Sequence, residues 1–328
     1  MTKKTAVLGV SSTNTHEYYG RLIANHFTGY ESEYGEKPYS NIPRFMDYLK
    51  NRVDGRYAKS TLRLLKAAIR YGLNYFGYYD FTIPDFIPGT SEAGARGQRR
   101  KTFPMDIANA MKEKVFSGNR YDNLARLGVM MTYSSIFFGL RPSEWFSARL
   151  TNADTELVVI NAKYSPEQGR GFGPKRTILI SDELPVYVLD GVKWVIDEIH
   201  RLGLCVKHPD EVTDALKQSL ANSVARVYDA VMRDGNGGKI KKVKNKPRCT
   251  MYSARHQFAA NAKNAGLSQL QIAALMGHAS IETAGTHYGR RRHGTNGFHV
   301  SPHDEDIEAV EKMQKKMSQA IPSFVFNN

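Results

Sequence analysis

Between Ser60 and Phe76, apolar residues recur every three or four positions. Leu62, Leu65, Ile69, Leu73 and Phe76 fall on one stripe, with Arg63, Lys66 and Arg70 on the face beside it. This is the period of an amphipathic helix. Further helices are expected over His16–Phe27 and Asn41–Arg52, where Pro43 suits a first helical turn. Residues 1–86 therefore read as a small helical bundle. Between 87 and 103 the period is lost, and Gly, Ser and Ala give way to a run of arginines and a lysine, the composition of a linker. From Phe103 the helical pattern returns with one interruption. Leu157–Ile160 and Thr177–Ile180 are short strand-like runs, and the Gly-rich, charged stretch Asn161–Arg176 between them predicts a long hairpin tip. Helices are expected over Val192–Arg201, Asp210–Met232, Ser253–Ala265, Leu267–Met276 and Asp304–Gln319, with Pro209 at the start of the second. The last carries its own stripe, Ile307, Val310, Met313 and Met317. The expected fold is mainly helical with a small β-hairpin or sheet. It divides into a bundle over 1–86, a linker over 87–103, a second domain over 104–302, and a tail helix over 303–328.

Charge sharpens this picture. The 328 residues hold 46 Lys and Arg against 32 Asp and Glu, a formal net charge of +14. Such a surplus favours a polyanionic partner, because neutralising phosphates releases counterions. Candidate DNA contacts are Arg63, Lys66 and Arg70 on the bundle helix, and Arg96, Arg99, Arg100 and Lys101 in a linker suited to strap a phosphate backbone. Lys241, Lys242 and Lys244 in the basic run Lys239–Arg248 complete the set. The two cysteines, Cys205 and Cys249, cannot build a disulfide framework and form no CxxC pair, so neither a secreted scaffold nor a structural zinc site is expected. No apolar run approaches the roughly 20 residues that cross a bilayer, and the amino terminus is too short and polar for a secretory signal. The expectation is a soluble protein inside the cell, at the nucleoid or, in a eukaryotic host, in the nucleus. Asp234–Lys239 lacks the spacing of a phosphate-binding or calcium loop and reads as a glycine-rich turn.

Three short motifs carry the chemistry. They are Gly139-Leu140-Arg141-Pro142-Ser143-Glu144, Tyr252-Ser253-Ala254-Arg255-His256, and a run from Leu275-Met276-Gly277-His278 to Tyr288. Cleaving a phosphodiester without a metal needs an attacking oxygen, neutralisation of developing negative charge, and a proton for the leaving oxygen. Arginine suits the second task, since its planar fork binds two phosphate oxygens and stays charged. Together the motifs resemble the tyrosine recombinase family of phage-integrase type, specifically over residues 105–290 and by general pattern over 12–85.

The resemblance implies that Arg141 and Arg255 bind the phosphate, Glu144 supports them, His278 donates to a non-bridging oxygen, and Tyr288 is the nucleophile. It also implies a lysine acid in the hairpin, Lys163 or, as alternative, Lys175. Two departures stand out. Tyr252 occupies a position where the family usually has histidine, so it would donate a hydrogen bond rather than exchange protons near neutrality. Tyr288 follows His278 by ten positions where many relatives have nine, which calls for an adjustment near Gly285 and leaves His287 as a competitor. His256, about 100° around the helix from Arg255, reads as a core or supporting residue. By resemblance, two domains clamp a duplex and four protomers assemble on two DNA sites. A 3′-phosphotyrosine then forms and strands exchange without metal, nucleotide or other cofactor. Accessory DNA-bending or directionality factors are compatible with this, and membranes are not involved. A short-site system such as a resolved or mobile element is expected, with the tail helix touching a neighbouring protomer. A type IB topoisomerase-like relaxation enzyme and a catalytically impaired DNA-binding protein are the alternatives.

Overall fold

A computed structural model describes residues 13–89, 100–118, 120–165, 171–234, 248–281 and 288–319. The chain divides into two compact units, Met1–Arg96 and Gly97–Asn328. The first holds α1 (Thr13–Tyr34), α2 (Ile42–Val53) and α3 (Lys59–Tyr75). α1 is about ten residues longer than the expected His16–Phe27, since Tyr30 is wholly buried against Phe45 and Tyr48 of α2 and extends the packed face. Leu62, Leu65, Ile69 and Leu73 of the α3 stripe all enter this core, each worth about 1.5–3 kcal/mol of apolar burial. Phe76 does not. It follows the last helical residue and is 46% exposed. On the polar side Arg63 and Arg70 are exposed, while Lys66 is paired with Asp85 at 2.7 Å.

The second unit is built around α5 (Asn123–Phe138), which is buried on nearly every side. A helix so apolar all round belongs in a core rather than on a surface. Around it pack α4 (Met105–Phe116), α6 (Val186–Arg201), α7 (Asp214–Asp234) and α8 (Met251–Asn264). α7 begins at Asp214 rather than Asp210, because Pro209 opens a separate 3-10 turn, Pro209–Glu211. α9 (Gln269–Met276) follows α8 directly.

The hairpin is half of a four-stranded antiparallel sheet, β1 (Arg149–Thr151), β2 (Glu156–Ile160), β3 (Lys175–Ile180) and β4 (Val300–Pro302), in that spatial order. The outer strands, three residues each, were not expected, as runs that short show no period. β3 starts two residues early, at Lys175 paired with Ile160. Leu157 and Val159 of β2 and Ile178 of β3 are fully buried, and Arg176 shares their buried side. The tail helix α10 (Asp304–Gln319) lies on its own unit, with Val310 fully buried against Ala273 and Ala274 and Ile307 beside it. Asp306 accepts a hydrogen bond from the Thr177 amide at 2.7 Å. Half of the stripe expected to meet a neighbouring protomer is thus covered within the same chain. Cys205 and Cys249 are free thiols. No helix among the described residues is long and apolar enough to cross a membrane.

Candidate active site

α5 ends at Gly139, Leu140 is buried, and Arg141 leaves the helix in extended conformation before the 3-10 turn Pro142–Ser147. Glu144, one turn on, folds back. Its Oε2 accepts from the Arg141 amide at 2.8 Å and its Oε1 from Arg141 Nη1 at 2.5 Å. The carboxylate is fully buried, and it also accepts from Arg176 Nη2 at 2.8 Å and the Ala162 amide at 3.4 Å. Arg255 Nη1 stands 3.7 Å from it. Burial alone would raise the Glu144 pKa, yet the charges of Arg176, Arg141 and Arg255 hold it far below the ordinary carboxylate range. For Arg141 the same pairing more than offsets desolvation, and its pKa lies above the ordinary value.

Arg255, four residues into α8, is wholly buried. It donates Nη1 to the carbonyl of Gly139 and Nη2 to that of Met276, the C-terminal carbonyls of α5 and α9. Helix C-termini carry partial negative charge and unsatisfied acceptors, so two helix ends fix one guanidinium. Desolvation, then repulsion from Arg141, lowers its pKa to about 10, still cationic at neutral pH.

α9 closes on Gly277 in the left-handed region (φ 62°), and the His278 amide returns to the Ala273 carbonyl at 2.9 Å, a helix-ending motif that favours glycine. This cap aims the imidazole inward. His278 Nε2 lies 3.2 Å from Arg255 Nη2 and 3.3 Å from Tyr288 Oη. The other ring nitrogen, Nδ1, is buried and has no hydrogen-bond partner among the described residues. Burial first, then the charges of Arg255, Arg141 and Arg176, keep the ring neutral by pushing its pKa far down.

Tyr288 is placed by α8. Lys263 Nζ donates to the Gly289 carbonyl at 3.0 Å, Gln257 Nε2 to that of His293 at 2.7 Å, and the Thr295 amide donates to Asn261 at 2.9 Å. These tethers set the phenol beside Arg255, whose Nε lies 3.4 Å from Oη and whose Cζ lies 5.7 Å from the ring centre. Burial would raise the phenol's pKa. The charge and hydrogen bond of Arg255, with the charges of Arg141 and Lys163, overcome it and leave the pKa below the usual 10.

Of the expected site residues, Arg141, Glu144, Arg255, His278 and Tyr288 thus meet in one place. Lys163 is exposed in the turn just after β2, close enough for its charge to act on Tyr288. Lys175 is exposed at the start of β3. Tyr252 is 39% exposed on the first turn of α8 and does not enter the core. The His256 ring centre lies 4.9 Å from that of Tyr288, in keeping with a supporting place, and the His278 ring centre 5.1 Å from it. Arg176 was missed altogether. Its signal was present as an arginine in phase with Ile178 and Ile180, on the face of a strand where apolar residues are due. Of the basic residues proposed for DNA, Arg100 is half-buried and donates to Thr102 Oγ1 at 3.1 Å, and Lys101 is exposed. Arg96, Arg99, Lys241, Lys242, Lys244, His287 and the turn near Gly285 lie outside the described residues. Among the described residues no three His, Cys, Asp or Glu side chains gather as a metal site would require.

No protein-family model and no curated protein matches the chain. Solved structures do align with it. XerH site-specific recombinase bound to palindromic difH substrate shares 13% identity over 91% of this chain and 78% of its own, with a TM-score of 0.49. Tn1549 transposon integrase in complex with transposon right end DNA shares 15% over 95% and 96%, TM-score 0.49. A lambda integrase tetramer bound to a Holliday junction shares 14% over 89% and 80%, TM-score 0.46. The side chains gathered around Tyr288 carry unequal charge.

Their charge balance is informative. Three guanidiniums, Arg141, Arg176 and Arg255, surround one carboxylate, Glu144, so a surplus of two positive charges is buried or nearly so. Uncompensated buried charge is costly. A bound anion would relieve it, and the Tyr288 hydroxyl lies 3.4 Å from Arg255 Nε.

Proposed function

We propose that this protein is a tyrosine-type site-specific DNA recombinase. The observation that carries the reading is a tyrosine hydroxyl within 3.4 Å of both Arg255 Nε and His278 Nε2, beside a buried surplus of positive charge. Few groups other than a phosphodiester need both a nucleophile and several fixed cationic donors. Tyr288 Oη would give its proton to water and attack phosphorus, forming the O–P bond of a 3′-phosphotyrosine as the bond to the 5′ oxygen breaks. Arg141, Arg255 and His278 would hold the non-bridging oxygens, where preorganised donors act most strongly. The 5′ oxygen would take its proton from Lys163. The phosphotyrosine conserves the energy of the broken bond, so a free 5′-hydroxyl can reverse the step on another strand without ATP. Integration, excision or resolution of a mobile element by four protomers on two sites would use this chemistry.

The test is covalent trapping. Protein mixed with fragmented DNA and then denatured should retain DNA on Tyr288, and sequencing the attached ends gives the site. Tyr288→Phe should bind that site with nearly unchanged affinity and retain no covalent DNA. Covalent attachment by the Phe variant, or none by the natural protein on any DNA, overturns the reading. A two-site exchange assay beside a supercoil-relaxation assay separates recombination from topoisomerase-like relaxation.

A further inference from the structure

Arg176 is fully buried on the core-facing side of β3, a place that a strand ordinarily fills with an apolar residue. It spends its guanidinium on three partners from three parts of the chain. Nη2 meets Glu144 Oε2 at 2.8 Å, Nε meets the Leu275 carbonyl at 2.8 Å, and Nη1 donates to Asn161 Oδ1. Glu144 is the acid that holds Arg141, and Leu275 is three residues before His278. Asn161 is the first residue after β2, two before Lys163. Its own amide returns to the Pro174 carbonyl at 2.8 Å, its Nδ2 donates to the Gly173 carbonyl at 2.8 Å, and its carbonyl closes the turn by accepting from the Tyr164 amide at 3.1 Å. Both ends of the hairpin tip are therefore gathered at Asn161, and Asn161 is gathered to the centre by Arg176.

We propose that Arg176 is a positioning residue that holds the Lys163 turn of the β-hairpin at the catalytic centre through its fork to Asn161, Glu144 and Leu275. The inference rests on the recombinase reading and adds a part to it. The planar fork suits the task, because it reaches the three acceptors from three separate nitrogens held in one rigid plane, where a lysine offers a single nitrogen on a flexible stem. Lys163 is exposed on a turn, and such turns move unless something ties them. A displacement of about 1 Å at a reacting group is enough to cost roughly 10²-fold.

A substrate whose 5′-bridging oxygen is replaced by sulfur distinguishes this role from a general structural one, because the thiolate leaves without a proton donor. On the ordinary phosphodiester, Arg176→Met and Arg176→Lys should each cleave about 10²-fold more slowly than the natural protein. On the sulfur substrate both should recover to within a few-fold, matching the profile of Lys163→Ala. Methionine keeps the length and apolar stem, and thermal melting with site binding shows whether it has folded. Asn161→Ala removes the hairpin end of the same link without touching Arg176, so it decides the question if Arg176→Met unfolds, and it should show the same selective recovery. Equal losses on both substrates by folded variants, or natural rates on both, overturn the proposal. Failure of the natural protein to form covalent complexes on either substrate would instead overturn the recombinase reading.

Discussion

His278 shows how one side chain ties the site's charge to its stability. In the folded protein it stays neutral, because burial and then Arg255, Arg141 and Arg176 hold its pKa far below 6.5. In the unfolded chain it takes a proton below about pH 6.5. The unfolded state then binds more protons, so folding stability falls as pH drops below 6.5, by up to about 1.4 kcal/mol per pH unit. Glu144 adds its own loss at lower pH. Its depressed folded pKa makes its contribution complete above about 4.5 and lost progressively as pH falls from there. Urea denaturation of DNA-free protein between pH 7.5 and 5.5 should show the first slope, and His278→Gln should flatten it relative to the natural chain. Coincident slopes would mean that His278 is not held neutral. A phosphate beside the ring works in the opposite direction, so bound DNA should weaken the dependence.

Helix ends, more than helix faces, assemble this site. α5 and α9 offer terminal carbonyls to Arg255, α8 tethers the segment after Tyr288, and the cap of α9 sets His278. Gly277 is a tight junction among these. A Cβ there would sit 2.5 Å from Asn161 Oδ1 and 3.0 Å from Arg176 Nη1, on backbone at φ 62°. Gly277→Ala should therefore cost the roughly 1–2 kcal/mol of left-handed strain and also push apart the link that holds the hairpin. Gly266, at φ 86° with nothing within 4 Å of its would-be Cβ, supplies the comparison. In urea melts Gly277→Ala should lose more stability than Gly266→Ala, and only the former should slow covalent-complex formation by tenfold or more. Equal effects at the two glycines would show that the crowding at Gly277 relaxes freely.

Across the whole molecule, each unit has its own core, and the tail helix belongs to the second of them. Val310 contributes about 1.5–3 kcal/mol of burial on α9, and Asp306 holds the Thr177 amide next to Arg176. A chain ending at Pro302 keeps every proposed catalytic residue but uncovers Ala273 and Ala274 and frees that strand. Its second unit should melt several degrees lower, with single-site cleavage falling in step. Unchanged melting and cleavage combined with poor pairing of two sites would place α10 on a neighbouring protomer instead.

Much of this was legible in local spacing. Gly139–Glu144, Arg255, His278 and Tyr288 could be picked out because each motif is short and its residue types suit one chemistry. The stripe on α3 could be read because a helix repeats every 3.6 residues along the chain. Contacts between distant segments left weaker traces. The Arg255 bond to Gly139 spans 116 residues and that of Arg176 to Leu275 spans 99, and no period or spacing encodes such a meeting. Arg176 is the sharpest instance. In sequence it is one more cation in a basic hairpin, and its character comes from the pleat that turns it inward and the carboxylate, amide and carbonyl waiting there. The proposed chemistry is read from the residue types. Their convergence depended on packing, because only burial brings their charges close enough, and far enough from water, to act on one another.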